Sequence, residues 1–231
     1  MKPTLQLAAT TTPDGKKLVL SRHDRDFYLS IDQYPLMNSR EQESELELAR
    51  LGCQGLQGRP NPHVLIGGLG MGFTLRQTLE LLPEKAKVTV AELVPEVIVW
   101  NRDFLGDLTR HAWQDPRVVV KSCDVCDIIQ SANGLFDAIL LDVDHGPSSM
   151  TNAQNARLYQ PAGLHAMTRA LKKEGCLAIW SVQGDVQFEK RLKREKLFFR
   201  VVRVPAFKSS KTRSRCIWLI AGRKQGIVGK A

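Results

Sequence analysis

No apolar run in the 231 residues approaches the ~20 that a membrane-spanning helix needs. The opening stretch MKPTLQLAATTTPDGKK also lacks the apolar core of a signal peptide. The expectation is a cytoplasmic protein with no membrane partner. Cysteine is sparse as well: Cys53, Cys123, Cys126, Cys176 and Cys216 are odd in number and lie in strand-like apolar sequence, which argues against a disulfide framework. Cys123 and Cys126 form a CxxC, but no second cysteine or histidine pair stands at zinc-ligand spacing. Core packing is therefore the preferred reading, and no metal is expected.

What is present in excess is positive charge. The formal net charge is +9, and the lysines and arginines gather late, from Lys190 through Arg203 and again from Lys208 to Arg215. A solvated helix face and a solvated hairpin loop account for this cluster; attraction of nucleic acid or another anion is the second, less favoured reading.

From residue 63 onward the pattern alternates short apolar runs with helical stretches, the rhythm of β-α units around a parallel sheet. His63–Gly67, Val88–Glu92, Val118–Lys121 and Ala138–Asp142 read as strands buried on both faces, and Cys176–Trp180 reads as a fifth. Helices are expected over 74–82, 95–104 with proline in the first turn, roughly 155–171, and near 186–195. Two closing runs, 198–204 and 216–221, are joined only by a loop and so form an antiparallel hairpin. The fold class expected is α/β, a doubly wound, mostly parallel seven-stranded sheet resembling the class I methyltransferase layout.

The first 62 residues differ, with strand candidates at 17–20 and 26–31 and an acidic helix over about 39–51. They read as a small β-extension and a helix, with a Gly- and Pro-rich linker at 52–62. The division is then 1–62 for the extension and 63–231 for the main α/β domain.

The chemistry gathers at the ends of the strands. The loop Gly67-Gly68-Leu69-Gly70-Met71-Gly72 follows the first strand and precedes a helix, where glycine permits a sharp turn and close approach to a ligand. Glu92 ends the second strand, about twenty residues past Gly72, where an acidic side chain can accept both hydroxyls of a ribose, and a nicotinamide cofactor fits this much equally well. Asp124, with Val125 beside it, follows the third strand, where folds that bind adenosylmethionine place a carboxylate for the adenine amino group; capping of the loop is the alternative. Asp142 ends the fourth strand and either faces the ligand crevice of an open sheet or merely caps the strand end and orients the loop. A carboxylate there can take a proton from an attacking amine. Asp144 and His145 follow it and are either substrate-binding or turn residues.

On these motifs the chain resembles the spermidine synthase family, and in particular shorter bacterial spermidine-synthase-like proteins. VLIGGLGMGFTLR is similar to the family's glycine loop and following helix, here with Arg76; AELVPEVIVWNR to its second-strand acidic motif; DPRVVV to its third-strand entry; LFDAILLDVDHGP to its catalytic segment. The resemblance implies Asp142 as general base, Glu92 at the ribose and Asp124 at the adenine; Tyr159 matches an aromatic substrate position or is a core tyrosine. It also implies a homodimer and, as co-substrate, S-adenosylmethionine or decarboxylated S-adenosylmethionine. Two departures stand out: Leu69 and Gly70 replace the loop's usual aspartate, and Val143, Asp144 and His145 replace the usual residues after the base.

The leading expectation is transfer of an aminopropyl group from decarboxylated S-adenosylmethionine to a small-molecule amine. The alternatives are a methyltransferase acting on a small molecule or RNA, and a non-catalytic nucleoside-binding protein.

Overall fold

The computed structural model describes residues 3–143, 146–147, 155–207 and 213–221. The chain opens with a meander of β1 (Leu5–Thr11), β2 (Lys17–His23), β3 (Asp26–Ile31) and β4 (Tyr34–Asn38), paired antiparallel in that order. Asp32 and Gln33 both take positive φ between β3 and β4, the backbone of a two-residue hairpin turn. Helix α1 (Glu43–Gly52) begins later than residue 39 because the preceding side chains capture the backbone first. Asn38 Oδ1 accepts from the N–H groups of Arg40 and Glu41, and Ser39 Oγ accepts from the Phe27 N–H.

The main sheet is built from β5 (His63–Gly67), β6 (Lys87–Glu92), β7 (Val118–Ser122), β8 (Phe136–Leu141), β9 (Leu171–Ser181), β10 (Phe199–Pro205) and β11 (Ser214–Ala221). Their order is β10-β11-β9-β8-β5-β6-β7. The pairs from β9 to β7 are parallel, and β11 runs antiparallel between β9 and β10. Chain order reverses between β5 and β8, and the carboxyl ends of strands at such a switch point open a crevice. This is the doubly wound seven-stranded arrangement expected from the alternating pattern.

Helices α2 (Phe73–Leu81), α3 (Pro95–Asp103), α4 (Val125–Ser131), α5 (Pro161–Ala170) and α6 (Val186–Arg194) cover the sheet. Pro161 divides the helix expected over 155–171, since it has no N–H to continue the ladder. Residues 155–159 form a short 3-10 turn, and α5 starts afresh with Pro161 in its first turn.

Each central strand is buried on both faces, so alternate residues feed two cores. Val64, Ile66, Val88, Val90, Leu140 and Leu219 pack with α1, α2 and α3 residues. Leu65, Ile139, Leu141, Ile179, Trp218 and Ile220 pack toward α4, α5 and α6. At the amino edge of the sheet the buried Asp137 anchors three neighbours: Arg59 Nη1 at 2.6 Å, Lys172 Nζ at 2.6 Å and the His63 N–H at 2.8 Å. Against the cost of burial, these partners hold its carboxyl below the ordinary value.

Candidate active site

The glycine loop leaves β5 and enters α2 with Gly68, Gly70 and Gly72 all at positive φ. At Gly68 the demand is steric as well: a Cβ there would sit 2.3 Å from the backbone carbonyl oxygen of Asp142. The loop thus lies directly against the start of the segment after β8. The Asp142 N–H donates to Gly67 O at 2.9 Å, and the Gly68 N–H donates to Ala91 O at 2.8 Å, so the ends of β8, β5 and β6 are tied together.

A cavity of about 730 Å³ opens at these strand ends. Of the residues singled out in the sequence, Gly68, Gly70, Glu92, Asp124, Val125 and Asp142 line it. Gly67 lies within β5 and Gly72 is the residue preceding α2; both shape the loop without lining the cavity. Tyr159 packs in the core, its ring edge-on to Phe188 at 5.8 Å. Asp144 and His145 lie outside the described residues, as do residues 208–212 of the basic loop. Asp185 serves as the N-cap of α6, accepting from the N–H groups of Gln187 and Phe188. Arg76 reaches Leu108 O and Gln42 Oε1, both at 2.9 Å, and so ties α2 to the segment before α1.

Glu92 is buried, and its two oxygens accept from the Leu69 N–H at 2.8 Å and the Val94 N–H at 2.9 Å. Burial pushes its carboxyl above the ordinary value, opposed by these backbone donors. It therefore fixes the glycine loop while facing the cavity. Asp124 caps α4 by accepting from the Cys126 N–H at 2.8 Å, and its other oxygen pairs with Arg157. Neighbouring Cys126 is pushed up to about 12 by burial and by Asp124, so the CxxC carries no ready thiolate.

Asp142 accepts from Thr74 Oγ1, on the first turn of α2, at 3.1 Å. Burial raises its carboxyl to about 6, against that hydrogen bond. Its partner in the cavity is a residue that sequence reasoning missed. Glu45, on α1 and only 6% exposed, is raised to about 8 by burial and by the charge of Asp142, against a hydrogen bond from Ser44 Oγ at 2.6 Å and the charge of Arg215. A signal was available in the helix: Glu45 precedes Leu48, Ala49 and Gly52 by three, four and seven positions, which puts it on the buried stripe and not with Glu43 and Glu47. Two carboxylates of raised pKa in one crevice form an arrangement suited to taking up protons near neutral pH.

A family model described as the spermine/spermidine synthase domain matches residues 51–198. Among curated proteins, polyamine aminopropyltransferase 2 of Ralstonia nicotianae is 29% identical over 167 residues, covering 71% of this chain and 31% of the relative. Polyamine aminopropyltransferase of Prochlorococcus marinus is 31% identical over 144 residues, covering 60% and 48%. The chain thus spans from under a third to about half the length of these relatives. In fold it is similar to a spermidine synthase crystallised with the transition-state analogue AdoDATO, with a TM-score of 0.73 at 18% identity over 94% of this chain and 72% of that one. Spermidine synthase from Thermotoga maritima follows, with a TM-score of 0.71 at 20% identity over 94% and 73%.

Proposed function

The chain belongs to the spermine/spermidine synthase family, and from that premise we propose that it transfers an aminopropyl group from decarboxylated S-adenosylmethionine to an amine. The observation that carries the reading is Asp142. It sits at the switch point of the sheet, in the same cavity as the glycine loop, Glu92 and Asp124, with its carboxyl raised to about 6. A base whose pKa lies near the working pH couples adequate ionisation to adequate proton affinity.

In the proposed step the neutral amine nitrogen attacks the carbon attached to the sulfonium. The nitrogen–carbon bond forms as the carbon–sulfur bond breaks, the sulfur leaves as a neutral thioether, and Asp142 takes the amine proton. The sulfonium is already a good leaving group, so alignment of donor and acceptor is the main task left to the protein. Thr74 orients Asp142 through its hydroxyl. Glu92 would hold the ribose hydroxyls with the lone pairs left by its two backbone donors, and Asp124 and Val125 the adenine end.

We assign the catalytic unit to 63–231 and the extension to 1–62, with α1 of the extension contributing Glu45. Asp144 and His145, which follow the base in sequence, are proposed to contact the acceptor. A cytoplasmic homodimer with a small-molecule acceptor, no metal and no nucleic-acid partner completes the proposal. In support of a non-membrane setting, no helix among the described residues is long and apolar enough to cross a membrane.

Calorimetric titration with decarboxylated S-adenosylmethionine and methylthioadenosine, followed by a transfer assay on the Asp142→Asn variant, tests the reading. Binding should survive the substitution and turnover should fall by roughly a hundredfold or more. Unchanged turnover would remove Asp142 from the role of base.

A further inference from the structure

The cavity that holds Asp142 and Glu45 is not uniformly acidic. Arg215, at the start of β11, lines it on the side of Trp180, with its guanidinium carbon 5.8 Å from the centre of the indole ring. Stacking on a ring restrains a guanidinium while leaving its in-plane N–H groups unspent. No described residue accepts a hydrogen bond from Arg215 or forms an ion pair with it. It is nevertheless close enough to the buried acids for its charge to be felt at Glu45. The Trp180 indole N–H is itself buried without an acceptor among the described residues.

A diamine gains nothing from the Arg215 side of the cavity. Its two ammonium ends each seek a carboxylate, and a fixed guanidinium in the cavity wall repels the second end. A ligand carrying both an amine and a carboxylate matches it group for group: amine toward Asp142 and Glu45, carboxylate toward the planar fork of Arg215. We propose that Arg215, held on Trp180, forms a carboxylate subsite, so that one of the two ligands of this cavity is an amino acid and not its decarboxylated counterpart. This rests on the nucleoside-binding, group-transferring role proposed above: a carboxylate on the acceptor deepens that reading, and a carboxylate on the donor replaces the decarboxylated donor named there. If the carboxylate is on the acceptor, the product is an N-aminopropyl amino acid. If it is on the sulfonium donor, the transferred unit is 3-amino-3-carboxypropyl. In both cases the same nitrogen–carbon bond forms and the same carbon–sulfur bond breaks.

Two matched pairs of probes differ by a carboxylate alone: S-adenosylmethionine with its decarboxylated form, and ornithine with putrescine. Titrating the first pair into the protein, and the second into protein saturated with methylthioadenosine, should show the carboxylated member of one pair binding roughly tenfold or more tighter. The pair that shows it identifies whether donor or acceptor carries the group. Arg215→Gln should bring that pair to within about twofold of parity, and Arg215→Lys, which keeps the charge without the fork, should retain only part of the preference. Thermal melts of both variants establish that they are folded. Equal or tighter binding of the decarboxylated member in both pairs, or a preference that persists in Arg215→Gln, overturns the subsite while leaving the nucleoside site standing. Failure of methylthioadenosine itself to bind overturns the underlying reading and the subsite with it.

Discussion

Replacing Glu45 by glutamine should change how stability depends on pH, with a sign that follows from burial. In the unfolded chain the carboxyl ionises near 4.5, whereas in the folded protein burial and the Asp142 charge hold the proton until about 8. Between those values the folded state binds more protons than the unfolded state, so stability falls as pH rises, by at most ~1.4 kcal/mol per pH unit from this group. The full effect across the window is on the order of 2–5 kcal/mol. Glutamine keeps an oxygen for the Ser44 hydroxyl and has no proton to lose. Near pH 4.5 the two proteins should therefore lie within ~1 kcal/mol of each other. By pH 8.5 the variant should be the more stable by a few kcal/mol. Urea unfolding followed by circular dichroism at intervals from pH 4.5 to 8.5 measures the gap directly, since other titrating groups are common to both proteins. Parallel curves would refute the argument and would mean that Glu45 reaches water or a cation in solution.

Three further perturbations probe the site and the sheet that carries it. Gly68→Ala places a Cβ 2.3 Å from the backbone carbonyl oxygen of Asp142, at a φ of +88°, and should cost more than ~2 kcal/mol in a thermal or urea melt. Asp137→Ala leaves Arg59 and Lys172 without their shared buried partner at the opposite edge of the sheet. A loss of ~3–5 kcal/mol is expected by urea unfolding, with little change in the affinity of the molecules that do fold. Arg157→Ala frees one oxygen of Asp124, and methylthioadenosine should bind roughly two- to fivefold tighter by calorimetry. Weaker binding would place Arg157 itself against the nucleoside.

The parts of the fold that were legible in the sequence are those whose local chemistry admits one solution. Strands such as His63–Gly67 and Phe136–Leu141 are apolar on both faces, so their burial between two helix layers follows from the run itself. Asp142, Glu92 and the glycines share the carboxyl edge of the sheet because strand ends in this topology converge there. The elements that escaped notice have weaker signals. Helix α4 is only seven residues long, and its start reads equally as a loop capped by Asp124. Strands β1 and β4 keep much of their surface exposed and carry little apolar alternation. Glu45 was hidden differently: in a helix with Glu43 and Glu47, an acidic residue on the buried stripe is easily grouped with a solvated face. Arg215 was visible only as one charge in a basic cluster, and its place over the Trp180 ring depends on a pairing between distant strands.

The placement of β11 between β9 and β10 has a consequence for how the protein is made. During synthesis β9 and β10 emerge first, yet neither can complete its ladder until the segment Ser214–Ala221 arrives between them. Until then the edge of β9, from Cys176 to Ser181, offers unpaired backbone groups beside an unfilled core that awaits Trp218. Chains interrupted before residue 214 should accumulate as aggregates and not as partly folded monomers. The strand that closes the sheet also delivers Arg215 to the cavity, so the carboxylate-facing wall forms only in molecules whose sheet is complete.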